Sequence, residues 1–153
     1  KMPFSERKNW TECWCVDPLD GTKEFINRNG EFAVNIALLR NGKPVFGLIA
    51  SPVQKLMYAG GTETGVFKIE FDSIENTAKW ETISDPTAIN DPVVMTCSRS
   101  HHSGPVIHFI NDLKKISPKV EFAKKGSSLK FFDLATRLEI KFKTLIVLFL
   151  HKK

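Results

Sequence analysis

Apolar residues recur in two rhythms along the chain, and the change of rhythm organises it. Up to about residue 71 short apolar runs alternate with turn residues. Glu12-Cys13-Trp14-Cys15-Val16 is rich in β-forming types and predicts a strand, with a short helix from Thr22 to Asn27 beyond it. Phe32 to Leu39 is a near-continuous apolar run, the pattern of a strand buried largely on both faces. Asn41-Gly42 follows between two such runs, a strong hairpin signal, because a type I′ turn needs positive φ at both central positions. Pro44 to Ala50 is the return strand, with Pro44 tolerated at its first position. Lys55–Ala59 and Gly65–Glu70 form a second pair around Gly60-Gly61-Thr62-Glu63-Thr64, so within residues 13–71 an antiparallel meander is expected whose first member is the Phe32–Leu39 strand. Residues 1–12 are polar and predict a loop.

The rhythm changes after residues 72–92, which carry Asp, Ser, Asn and two Asp-Pro steps around a weak strand at Trp80–Ile83 and read as a seam. Residues 92–136 predict an α/β sub-layer: a strand over Pro92–Cys97, then a helix capped by Ser103 with Val106, Ile107, Ile110 and Leu113 on one face. A strand over Lys119–Ala123 comes next, then a helix opened by Gly126-Ser127-Ser128 with Leu129, Phe132 and Ala135 inward. In the tail, residues 137–153, Leu138 to Lys143 alternates like a half-exposed strand. Thr144 to Leu150 is an apolar, β-prone window that aggregates unless buried.

Composition narrows the classes. A chain of 153 residues with 42% hydrophobic and 25% charged residues suits one globular domain with a core. The net charge of +5 favours anionic partners. The basic residues form no block and are not interleaved with aromatics, so a nucleic-acid face is not expected. No run reaches the ~18 apolar residues of a membrane span. Cys13 and Cys15 would point to the same face of a strand, but no second Cys or His pair has zinc spacing, so the three cysteines, Cys97 included, predict buried free thiols in a reducing, cytoplasmic compartment. Oligomeric state leaves no mark on the sequence.

The chemistry concentrates in Val16-Asp17-Pro18-Leu19-Asp20-Gly21-Thr22-Lys23-Glu24-Phe25. Proline disfavours helix for the residue before it, which places Asp17 at the extended end of a strand. Asp20-Gly21 supplies a turn, and the amides of Gly21, Thr22 and Lys23 become donors at a helix start. Two hard oxygen ligands beside a cluster of N–H groups suit Mg²⁺ and phosphate. The same residues also make a solvated turn and N-cap, and residue chemistry alone leaves both readings standing. An EF-hand is excluded, since the alternating ligands after Asp20 and the closing Glu are missing.

Asp17-Pro18-Leu19-Asp20-Gly21-Thr22-Lys23-Glu24-Phe25 resembles the metal-binding signature of the inositol monophosphatase superfamily of Mg²⁺-dependent, lithium-sensitive phosphatases. Lys23-Glu24-Phe25, Asn29-Gly30-Glu31-Phe32 and Gly126-Ser127-Ser128-Leu129-Lys130-Phe131 resemble its 3'(2'),5'-bisphosphate nucleotidase branch. The resemblance runs from about Trp14 to about Thr136. It implies a layered α-β sandwich of the sugar-phosphatase type, α+β with an α/β part, forming a single partial domain over residues 1–153 that is incomplete at both ends. It also implies two or more Mg²⁺ ions held by Asp17, Asp20 and the Leu19 carbonyl, with Asp17 bridging. One ion would activate water and another would stabilise the leaving oxygen. Thr22 would orient the attacking water, the Gly21 and Thr22 amides would hold phosphate, and His101, Ser127 and Lys130 would contact the nucleotide. The expected reaction is hydrolysis of the 3'-phosphate of 3'-phosphoadenosine 5'-phosphate, a small-molecule nucleotide, to AMP and phosphate. An inositol or sugar monophosphatase is the rival within the class. A catalytically inactive nucleotide- or metal-binding fragment is the rival outside it.

The chain also departs from the resembled pattern. The family draws a further metal carboxylate from an upstream Glu-Glu pair and another from a downstream Trp-Asp step. Neither matches here, Glu6 and Glu12 being the nearest glutamates upstream. The chain opens on Lys and meets the motif after sixteen residues, from which a natural start well upstream is expected. After Thr136 the resemblance gives way to Arg137-Leu138-Glu139-Ile140-Lys141.

Overall fold

The structure is a computed structural model that describes residues 2–83, 93–98, 104–116 and 119–138. It divides into two compact units, Lys1–Ile83 and Ser84–Lys153.

The first unit opens with one helical turn, α1 (Phe4–Arg7), where the polar composition predicts a loop. Six strands then follow in antiparallel succession: β1 (Glu12–Asp20), β2 (Ala33–Arg40), β3 (Lys43–Ser51), β4 (Leu56–Gly61), β5 (Gly65–Glu70) and β6 (Glu81–Ile83). The short α2 (Thr22–Ile26) lies between β1 and β2. The sheet order is the chain order, so the motif strand β1 is itself the first member of the meander and, among the described residues, lies at its edge. Asn41 and Gly42 adopt φ 50° and 74°, as a type I′ turn requires, and close the pair Arg40–Lys43. Pro44 is taken up by a register shift after Leu38, which leaves Val45 as the extra residue.

The register explains where the core lies. Val34, Ala50, Met57 and Ile69 are successive cross-strand partners, as are Leu48, Ala59 and Phe67. These residues, with Phe46, Phe71 and Trp80, form the apolar cluster of one sheet face. Trp80 packs against Phe67 at 5.9 Å between ring centroids, and its indole N–H donates to the Ser73 carbonyl at 3.1 Å. That contact fastens the stretch after β5 beneath the sheet. β2 is less buried than its composition predicts: Ala33 is buried, Val34–Leu39 are half-buried and Arg40 is exposed.

The second unit contains β7 (Val93–Ser98), α3 (Gly104–Ile116), β8 (Val120–Lys125) and α4 (Leu129–Leu138). β7 and β8 pair in parallel, Val93 to Val120 through Ser98 to Lys125, with α3 as the connecting helix. Met95, Cys97 and Leu113 form its buried cluster, flanked by Phe109, Ile110 and Val120. Among the described side chains of α3, Phe109, Ile110 and Leu113 form the apolar face and Ile107 is half exposed, while the side chain of Val106 lies outside the described residues. At 3.6 residues per turn Ile107 lies roughly 120° round the helix from Leu113, too far to share its stripe. In α4, Leu129 and Phe132 are buried and Ala135 is half-buried, in keeping with the periodicity.

Among the described residues no helix is long and apolar enough to cross a membrane. The seam beyond Ile83, Ser103, His101 and the alternating tail from Glu139 onward fall outside the described residues.

Candidate metal and phosphate site

β1 does not stop at Asp17, as the proline predicts, but continues to Asp20. Pro18 survives in the strand because a bulge is built on it: Asp17 pairs with Asn35 and Asp20 with Ala33, so three steps on β1 oppose two on β2. The ladder needs no amide from Pro18 at that point.

The bulge has a consequence for the two carboxylates. In a regular strand residues three apart face opposite sides of the sheet. Asn35 and Ala33 are two apart on β2 and share a face, so their partners Asp17 and Asp20 share a face as well. Asp17 is exposed and Asp20 half-buried. Asp17 Oδ1 accepts a hydrogen bond from the Leu19 amide at 3.2 Å, which holds the carboxylate over the bulge. The Leu19 carbonyl accepts from the Thr22 hydroxyl at 3.4 Å.

Gly21 caps α2 in the left-handed region, φ 87° and ψ 46°. A side chain at that angle is strained, and only glycine turns directly from the strand into the helix without cost. The Phe25 amide donates to the Gly21 carbonyl at 2.9 Å, so the first-turn amides of α2 have no carbonyl of their own helix to bond. The return to β2 is closed locally. Phe25 and Phe32 meet edge to face at 5.0 Å, Arg28 and Gly30 take φ 53° and 76°, and Asn29 Oδ1 accepts from the Glu31 amide at 2.9 Å. The sequence signal of this aromatic clasp is Asn-Arg-Asn-Gly between two phenylalanines.

Asp17, Leu19, Asp20, Gly21 and Thr22 are therefore gathered by one bulge and one turn. Hard oxygen donors on a shared, solvent-reached face suit a small divalent cation that keeps part of its water. Among the described residues no group of three or more His, Cys, Asp or Glu stands ready for a metal ion, so the donor set here is two carboxylates and a carbonyl. Glu12 adds nothing to it: the residue is ion-paired to Arg40 at 2.6 Å and lies five residues, roughly 16 Å, up the strand from Asp17. Both partners of that pair are about half exposed, so its contribution to stability is small. The Cys13 and Cys15 thiols share a hydrogen bond at 3.8 Å, which raises the Cys13 pKa above its ordinary value. Cys13 is half-buried and Cys15 exposed, a correction to the expectation of buried thiols that only Cys97 meets.

In the second unit Ser127 adopts φ 48° at the entry to α4, and its hydroxyl oxygen accepts from the Leu129 amide at 3.2 Å. Lys130 Nζ donates back to the Ser127 carbonyl. The two residues are thus joined at the helix start, with a positive charge held over the turn and both side chains half-buried. His101 lies outside the described residues.

The chain is similar to several known proteins. The chain is 41% identical over 125 residues to the 3'(2'),5'-bisphosphate nucleotidase CysQ of Salmonella typhimurium, covering 82% of this chain and 46% of that protein. The Escherichia coli protein of the same name is 39% identical over the same shares. The crystal structure of CysQ from Bacteroides thetaiotaomicron superposes with a TM-score of 0.74 at 40% identity, over 88% of this chain and 53% of that one. The 2'AMP-bound SaIMPase-II structure, at 19% identity and a TM-score of 0.60 over 82% and 45%, shares the fold. The chain spans about half the length of the curated relatives it matches. The profile of the inositol monophosphatase family matches residues 3–137, motif and meander included, and the chain belongs to that family.

Proposed function

We propose that the chain carries the metal- and phosphate-handling part of a phosphomonoesterase acting on 3',5'-bisphosphate nucleotides, with 3'-phosphoadenosine 5'-phosphate hydrolysed to AMP and phosphate. The observation that carries this reading is the bulge at Pro18, which turns Asp17 and Asp20 to one face with the Leu19 carbonyl between them. Family membership and the similarity to nucleotidases support it.

Asp17, Asp20 and the Leu19 carbonyl are the residues that would hold Mg²⁺. The bound ion supplies Lewis-acid polarisation of the phosphoryl oxygens and a more acidic water. Thr22 spends its hydroxyl proton on the Leu19 carbonyl and so presents only acceptor lone pairs outward, which suits it to orient an attacking water. The Gly21 and Thr22 amides donate to the phosphate, a task the left-handed turn at Gly21 makes sterically accessible. Ser127 and Lys130 are the nucleotide-contacting residues of this reading, Lys130 as the counter-charge for a phosphate. His101 is a further proposed contact.

The test is phosphate release by the purified chain at millimolar Mg²⁺. A preference for 3'-phosphoadenosine 5'-phosphate over inositol 1-phosphate is expected. Lys130→Ala should lower kcat/KM on the nucleotide about tenfold, the worth of one charge-assisted hydrogen bond, and leave the inositol ester nearly unchanged. Equal rates on the two esters would return the assignment to the wider family. The absolute rate of these 153 residues alone is expected to be ten-fold or more below that of a full-length relative. Two carboxylates hold a pair of Mg²⁺ ions about 4 Å apart only weakly against their mutual repulsion. A rate within tenfold of the relative would show that other groups of the chain replace the missing carboxylates.

A further inference from the structure

The alternation of β1 sorts its side chains by face. Trp14 and Val16 follow the register of Leu38 and Ile36 toward the side that carries Phe46 and Leu48. Cys13 and Cys15 lie on the opposite side, in register with Leu39 and Ala37, on the same face as Asp17. The two Sγ atoms are 3.8 Å apart, with Cys15 open to solvent and Cys13 half-buried. We propose that Cys13 and Cys15 form an open two-thiolate site for a thiophilic divalent cation of the zinc group, separate in its chemistry from the carboxylate site beside it.

The geometry fits such an ion as it stands. A zinc–thiolate bond is about 2.3 Å, and a tetrahedral angle between two such bonds puts the sulfurs about 3.8 Å apart. The observed separation equals that bite, so chelation needs no movement of the strand. A disulfide asks for more. The sulfurs would have to close by about 1.8 Å, and residues two apart on a strand have Cα atoms roughly 6.6 Å apart, at the outer limit of disulfide geometry. The strand pairing of Cys13 with Leu39 and of Cys15 with Ala37 resists that puckering. Among the described residues β1 pairs with β2 alone, and no third His, Cys, Asp or Glu joins the two thiols, so the remaining coordination positions belong to water or a small ligand.

Ligand softness keeps the neighbouring sites apart. Thiolates select zinc-group cations, whereas carboxylate and carbonyl oxygens suit Mg²⁺. One face of β1 thus carries a soft donor pair and a hard donor pair with a single residue, Val16, between Cys15 and Asp17.

The probe is Cd²⁺ added to the reduced chain, read by the ultraviolet thiolate-to-cadmium charge-transfer band, which reports only sulfur-bound ion. One Cd²⁺ per chain is expected to give the band, unaffected by excess Mg²⁺ and retained in Asp17→Asn and Cys97→Ser. Cys13→Ser and Cys15→Ser should each weaken binding tenfold or more. A second measurement needs no substitution: bound Cd²⁺ should protect Cys13 and Cys15 together from alkylation, as read by mass spectrometry. Full affinity in either single variant, a band that requires Cys97, one Cd²⁺ per two chains, or alkylation of Cys13 and Cys15 unchanged by Cd²⁺ would each overturn the proposal.

Discussion

Asp17→Asn should abolish most of the chain's Mg²⁺ or Mn²⁺ binding and reduce phosphate release from 3'-phosphoadenosine 5'-phosphate at least a hundredfold, the largest functional loss expected from any single substitution. The donor set is two carboxylates and one carbonyl, and removing one formal charge halves its negative charge. The family resemblance implies that Asp17 would bridge two ions, so its loss would weaken both, whereas Asp20→Asn would weaken one. Asp20→Asn is accordingly expected to cost less, about tenfold in affinity. Asparagine at position 17 keeps an oxygen that can accept from the Leu19 amide, so the bulge should persist and Asp17→Asn should unfold at the temperature of the unsubstituted chain. Calorimetric titration with Mn²⁺ and a thermal melt check both parts. Unchanged affinity in both variants would remove the metal from this motif, and an equal loss in both would remove the bridging role from Asp17.

Gly61→Ala should be the most damaging single-methyl change to the first unit. A Cβ built at Gly61 would stand 2.5 Å from the Val45 carbonyl oxygen, a backbone atom that cannot swing aside as the end of a flexible side chain would. The same carbonyl accepts from the Thr62 amide at 3.2 Å, so displacing it strains the β3–β4 pairing and that turn together. A cost of about 2–3 kcal/mol is expected, the upper part of the range for overpacking. At the size of this unit that corresponds to a fall in melting midpoint of roughly 10 °C or more. Gly47→Ala is the control. It lies in β3 with nothing within 4 Å of its added Cβ and should change stability by less than about 0.5 kcal/mol. Denaturant melts of the two variants decide the matter. A Gly61→Ala chain as stable as Gly47→Ala would mean that β3 and β4 are less tightly apposed than their register implies.

Much of this protein can be read residue by residue. Asn41-Gly42 encodes its hairpin because few other pairs tolerate two consecutive positive φ values, and the structure has both. The strand–helix–strand–helix order of β7, α3, β8 and α4 and the inward face of α4 follow from apolar periodicity, a local property that needs no partner to be recognised. The donor chemistry of Asp17-Pro18-Leu19-Asp20-Gly21-Thr22 is equally local, since carboxylates, a glycine and a hydroxyl bring their preferences with them.

What local pattern leaves open is how elements meet. Proline predicts the end of a strand at Asp17, yet pairing with β2 carries β1 on to Asp20 through a bulge, because the partner's hydrogen bonds outweigh one missing donor. That register alone puts two carboxylates of odd spacing on one face. Exposure is decided the same way. The apolar run of β2 predicts deep burial, but β1 beside it is an edge strand among the described residues, and β2 is only half covered. Ile107 counts as core by composition and is exposed because Phe109 and Ile110 hold the stripe with Leu113. Cys13 and Cys15 share a face by alternation, but their 3.8 Å separation is a matter of rotamers and strand twist, which depend on neighbours far along the chain and exist only in the assembled sheet.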